Sequence, residues 1–269
     1  DIPLLKSITS DPLDYSLLII GQYINYFKLK SLDGFELNID SEIPVGAGMG
    51  SSGALSVSML GALNIFAKKP LDKKIINEIA FLCEQKKHGR PSGGDNSTSC
   101  FGGLVWFKKD EGLKPLGIDL PEDVSNNFYI INTGTPSETT GEMVSLVREF
   151  VEKDPTTANQ VLEDQKNLVH DLLPALEKTE HDKIIEIIKR GEANLEKLGV
   201  VSDYAKGIIK EIESSGGAAK ICGAGGKTKS TGIILIYHTD LRKLNEALGS
   251  RKIDLMKVVL GAEGVRKEE

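Results

Sequence analysis

Cysteine is scarce in this chain: Cys83, Cys100 and Cys222 are the only three in 269 residues, and none forms a C-x-x-C pair. An odd, widely spaced set argues against a disulfide framework and against a thiolate metal site. The three read as reduced core thiols of a cytoplasmic protein. Long apolar runs are missing too. None approaches the length of a membrane span, and no secretory signal is expected ahead of the first helix. Charge of one sign is not concentrated anywhere. The net charge of -6 is spread without blocks, which argues against nucleic acid or an anionic membrane as a partner. The chain does have 40% hydrophobic residues, enough to bury the core of one large or two medium domains.

Against that background one segment stands out, Ile43-Pro44-Val45-Gly46-Ala47-Gly48-Met49-Gly50-Ser51-Ser52-Gly53-Ala54. It is a glycine-rich loop that leads into an amphipathic helix. Glycine allows positive φ and close approach of backbone to a ligand. A helix start adds unpaired N–H groups and the positive end of the dipole, which together suit a phosphate. The loop holds no lysine, so it is not a P-loop. Gly226-Lys227-Thr228 ends like one, but Ile221 stands where the first glycine belongs. A dinucleotide fingerprint across Gly48, Gly50 and Gly53 fails as well, because a helical pattern from Leu71 to Lys87 occupies the place of its second strand.

The patterning predicts a helix or helix-to-strand passage over Leu17–Lys30 and a half-buried strand at Phe35, Leu37 and Ile39. Helices follow over Ser51–Ala67 and from Pro70 to Lys87, then a polar turn His88–Asn96 and a strand Gly103–Phe107. The acidic stretch Lys108–Asn127 is the expected boundary between domains at 1–125 and 126–269. Beyond it come a buried strand Phe128–Asn132 and helices over 139–153, 158–178, 182–198 and 203–214. Strands Ala218–Cys222 and Gly232–Tyr237, a helix Leu241–Leu248 and a strand Met256–Leu260 close the chain. Mixed strands and helices in this order predict an α+β fold.

A second cluster, Glu84-Gln85-Lys86-Lys87-His88-Gly89-Arg90-Pro91-Ser92-Gly93-Gly94-Asp95-Asn96, can bring Asp95 back toward Glu84. Two carboxylates near a phosphate loop suit phosphoryl transfer, one holding Mg²⁺ and one orienting or deprotonating the attacking hydroxyl. A Gly-Gly-Asp-Asn run is equally an ordinary turn with a local Asp cap.

Taken together these segments resemble the GHMP small-molecule kinases. Pro44 to Ser52 is similar to the second, ATP-binding motif of that family. His88 to Asn96 resembles the H-G-x-P-S-G-x-D-N segment of its mevalonate kinase branch, and Lys220 to Gly226 resembles the third motif. The resemblance implies a two-domain fold with an S5-like N-terminal domain, here lacking its first strands, and a ferredoxin-like C-terminal domain. It implies transfer of phosphate from ATP to the 5-hydroxyl of mevalonate, a step toward isoprenoid precursors. Gly46, Ala47, Gly48, Met49, Gly50, Ser51 and Ser52 would hold the ATP phosphates, and Ser52 and Glu84 would coordinate Mg²⁺. Asp95 would act as base, while His88, Gly223, Ala224 and Gly225 would contact the small alcohol substrate. The family also admits a homodimer.

The first family motif, P-G-K/R-x-x-L-x-G-E-H/Y, is absent, and with it the lysine that stabilises charge on the transferring group. The expectation is a fragment or incomplete gene product, with Lys6 or Lys86 as the alternative source of that charge. Ser137 stands where many mevalonate kinases carry arginine, and Lys227 and Lys229 follow the third motif where the family has small residues. The competing expectations are another GHMP kinase acting on phosphomevalonate or homoserine, and a nucleotide-binding protein that is weak in catalysis.

Overall fold

Apolar side chains at helical spacing explain the first helices. The computed structural model describes residues 12–89, 91–108, 111–249 and 251–268, so Lys6 and Arg90 lie outside the described residues. Helix α1 (Pro12–Phe27) buries Tyr15, Ile19 and Tyr23, one turn apart. They meet Val57, Leu60 and Leu63 of α2 (Ser51–Phe66) and Ile76, Ile79, Ala80 and Cys83 of α3 (Lys73–His88). Each large apolar side chain buried in this way stabilises the unit by about 1.5–3 kcal/mol. Asp72 caps α3 by accepting from the N–H groups of Lys74 and Ile75 at 2.9 and 3.3 Å. Lys86, Lys87 and His88 complement the dipole at its other end.

Three expectations change in this part of the chain. Residues 35–39 form no strand; Phe35 and Ile39 are exposed, and alternation without a hydrogen-bonded neighbour does not make a ladder. The expected turn at Asp95 is instead the start of a helix, α4 (Gly94–Phe101), opened by Gly93 at φ 87°. The stretch read as a linker contains half of a hairpin, in which β1 (Val105–Lys108) pairs antiparallel with β2 (Gly112–Pro115).

A four-residue helix, α5 (Glu122–Ser125), leads into β3 (Phe128–Asn132). Helices α6 (Thr140–Lys153), α7 (Pro155–Glu177), α8 (His181–Lys197) and α9 (Asp203–Ser214) follow. A Thr139–Glu142 capping box starts α6, and Ser202 caps α9. The chain continues through β4 (Ala218–Ile221), β5 (Ile233–Tyr237), α10 (Leu241–Leu248) and β6 (Leu255–Lys257). The sheet order is β4-β5-β3-β6 with every pair antiparallel. Along the chain this is a βαββαβ path whose first crossover holds four helices, the ferredoxin-like arrangement. Ile131, Ile221, Ile234 and Ile236 pack beneath Ile208, Ile209 and Ile212 of α9.

The contacts separate the chain into two units. One comprises the described residues up to Glu42, Gly50–Asp119 and the segment from Gly261 onward; the other comprises Ile43–Met49 and Leu120–Leu260. The chain therefore crosses between units at more places than a single cut at 125/126 provides. The C-terminal segment belongs to the first unit because Gly103 N–H donates to the Ala262 carbonyl at 2.8 Å and Val265 N–H donates to the carbonyls of Ser99 and Cys100. Among the described residues of that unit, sheet structure is limited to the hairpin. No helix among the described residues is long and apolar enough to cross a membrane.

Candidate active site

In the first unit the buried stripe of α3 ends on a carboxylate. Glu84 follows Ile76, Ile79, Ala80 and Cys83 onto the core side and is only 3% exposed. A buried charge must be hydrogen-bonded. Tyr15 O–H donates to Glu84 Oε1 at 2.5 Å and Ser52 Oγ–H donates to Oε2 at 3.1 Å. His88, one turn further along α3, places Nε2 at 3.2 Å from Ser52 Oγ and 3.7 Å from Glu84 Oε2. Ser52, Glu84 and His88, singled out separately in the sequence, are thus brought together. Tyr15 joins them without having been marked by any motif.

Asp95 occupies the first turn of α4, against the start of α2. A Cβ on Gly50 would lie 3.2 Å from the Asp95 side chain, and one on Gly53 would lie 2.9 Å from Asn96 N. Only glycine at both positions lets the two helix starts approach this closely. The neighbouring Asn96 is buried and donates to Asn77 Oδ1 at 2.7 Å, which fixes the turn that carries Asp95. Asp95 keeps an open side to solvent. Its carboxyl is nevertheless pushed above the ordinary range, first by burial and then by the Glu84 charge, with His88 working the other way. Lys87 sits with Nζ 3.9 Å over the Tyr15 ring; burial lowers its pKa and Glu84 opposes that.

The start of α2 itself is uncapped. Gly50 is left-handed (φ 65°, ψ 28°) and makes no side-chain cap for the first-turn N–H groups around Ser51 and Ser52. Such a start is suited to an anion. The same region offers donors to a divalent cation. Ser52 Oγ and Glu84 Oε2 are hard oxygen donors 3.1 Å apart. Adjacent ligands of an octahedral Mg²⁺ at 2.0–2.1 Å stand about 3 Å apart, so the pair fits that ion, with the remaining positions left to water and phosphate.

In the second unit the loop residues Gly46, Ala47, Gly48 and Met49 lie on the other glycine-rich turn. Ala47 is buried with Ile130 and Ile233, and its carbonyl accepts from Ile233 N–H at 2.8 Å. Gly48 (φ 85°) packs on Cys222 and Gly223, where a Cβ would come within 2.9 Å of the Cys222 carbonyl. Gly223 is exposed, Ala224 half-buried, and Gly225 buried against Val200. Met49 is 38% exposed. Glu138, beside Ser137, accepts from Thr228 N–H at 2.8 Å and ties the loop after β3 to the tip that carries Lys227 and Lys229.

Residues 18–103 match the GHMP kinases N terminal domain. A mevalonate kinase of Archaeoglobus fulgidus is 31% identical over 82% of this chain and 74% of its own length. A mevalonate kinase of Pyrococcus horikoshii is 32% identical over 72% of this chain, and the match spans 57% of that relative. Among solved structures, the Methanococcus jannaschii mevalonate kinase superposes with a TM-score of 0.79 at 21% identity, covering 93% of this chain and 76% of its own.

Proposed function

The chain belongs to the GHMP kinase family, on its mevalonate kinase branch, and on that premise we propose that it transfers the terminal phosphoryl group of ATP to the 5-hydroxyl of mevalonate. The observation that carries this reading is the grouping of Ser52, Glu84 and Asp95 at the uncapped start of α2. ATP is the co-substrate that the family implies. Backbone N–H groups from Gly46 to Ser52 hold its phosphates, with charge complementarity from the α2 dipole.

Ser52 and Glu84 would hold Mg²⁺, whose contribution when bound is to neutralise phosphate charge. Asp95 accepts the proton of the acceptor hydroxyl. Its raised pKa, caused by burial and by Glu84, makes it a stronger base than a free carboxylate. The Asn96–Asn77 bond and the close fit of Gly50 and Gly53 fix the backbone turn that presents Asp95 to the acceptor. His88, and separately Gly223, Ala224 and Gly225, are the proposed contacts for the alcohol. A cytoplasmic location and a homodimer belong to the same proposal.

The test is ADP formation with a panel of mevalonate, phosphomevalonate, homoserine and sugars. Turnover that depends on mevalonate, reduced about 10²–10⁴-fold in Asp95→Asn, supports the reading. Preference for another acceptor, or full activity in that variant, overturns it.

A further inference from the structure

The two oxygens of Glu84 have different partners. Oε1 accepts the Tyr15 hydroxyl at 2.5 Å, while Oε2 faces Ser52 Oγ at 3.1 Å. Tyr15 is held firmly for this contact: it is 2% exposed, continues the buried stripe of Ile19 and Tyr23 on α1, and carries the Lys87 ammonium over its ring. The tyrosine hydroxyl has one proton to donate, and Glu84 Oε1 is the acceptor that takes it. A carboxylate with one oxygen engaged in this way offers a metal the other oxygen only. Mg²⁺ accepts single-oxygen carboxylates within a tight octahedron, whereas Ca²⁺ is larger and readily takes both oxygens.

We infer that Tyr15 is a positioning residue that makes Glu84 a one-oxygen metal ligand and so favours Mg²⁺ over Ca²⁺. This rests on the metal role proposed for Glu84. The full-length chain is titrated with Mn²⁺ in the presence of a non-hydrolysable ATP analogue, followed by electron paramagnetic resonance, with Ca²⁺ as competitor. In Tyr15→Phe the discrimination between Mn²⁺ and Ca²⁺ should narrow about tenfold, the scale of an outer-shell change at a metal site. The KM for the alcohol should stay unchanged. In E84Q both metals should weaken together, and adding Y15F to E84Q should change nothing further.

Unaltered discrimination in a folded Y15F chain overturns the inference while leaving Glu84 as a ligand. Undiminished Mn²⁺ binding in E84Q overturns the metal role of Glu84 and the inference with it. Should Y15F not fold, the unsubstituted chain decides: Ca²⁺ competing as well as Mg²⁺ against Mn²⁺ overturns the inference, and competition by Mg²⁺ at about tenfold lower concentration supports it.

Discussion

Gly48 and Gly223 pack backbone on backbone: a Cβ added to Gly223 would lie 2.7 Å from the Gly48 Cα. Both have positive φ, 85° and 69°. Gly223→Ala therefore meets strain and overlap together, and Gly48 has no side chain that can give way. The expected cost is about 2 kcal/mol of stability. The same variant should raise the KM for ATP, because the loop that holds Gly46 to Met49 is displaced. Urea denaturation and initial rates check both; an unchanged KM would detach this turn from nucleotide binding.

Glu192 gives the second unit a pH-dependent stability. It is 1% exposed, accepts Ile221 N–H at 3.0 Å through Oε2, and has no partner at Oε1. Burial pushes its pKa from 4.5 up to about 7, against the pull of the Ile221 N–H and of Lys220. The folded chain thus holds a proton that the unfolded chain has already lost. Stability is greatest below pH 4.5 as far as this group is concerned and declines through the window up to about 7. The total is on the order of 3 kcal/mol. Glu192→Gln keeps the acceptor and should flatten the decline in melting temperature between about pH 5 and 8.

The C-terminal segment should contribute to the stability of the first unit. Gly102 (φ 71°) and Gly264 lie against each other, and a Cβ on Gly264 would fall 2.6 Å from Gly102 N. Gly264→Val should destabilise the unit by about 2–3 kcal/mol, read as a lowered urea midpoint. Lys267→Ala, exposed nearby, should change it by less than about 0.5 kcal/mol.

Thiol chemistry should separate native from unfolded chain. Burial pushes the thiols of Cys83 and Cys100 up to about 12 and about 11, and raises that of Cys222 as well. At about pH 8 a disulfide reagent should react slowly with the native chain and rapidly with all three cysteines after denaturation. Fast native reaction of Cys83 or Cys100 would contradict the packing of α3 and α4.

Much of the site is legible in the residues themselves. Ser52 and Glu84 lie on helices whose apolar spacing is clear, and their separation follows once those helices pack. Tyr15 escapes a first helix that begins at Leu17. The stripe Tyr15, Ile19, Tyr23 extends that pattern one turn earlier, and a tyrosine on a core face needs a partner for its hydroxyl. Helix α4 is not legible: Gly94-Asp95-Asn96-Ser97-Thr98-Ser99 is poor in helix formers. Tertiary contacts stabilise it, through the Asn96–Asn77 bond and the close fit of Gly53.

The residues alone determine where helices bury their apolar faces, where glycine permits a tight turn, and which family the chain resembles. These depend on local spacing and on the chemistry of single side chains. The tertiary structure decides that Tyr15 faces one oxygen of Glu84 and Ser52 the other, that Asp95 opens a helix, and that the segment after Gly261 returns to the first unit. Those outcomes require groups distant in sequence to meet, and burial then sets their hydrogen bonds and charge states.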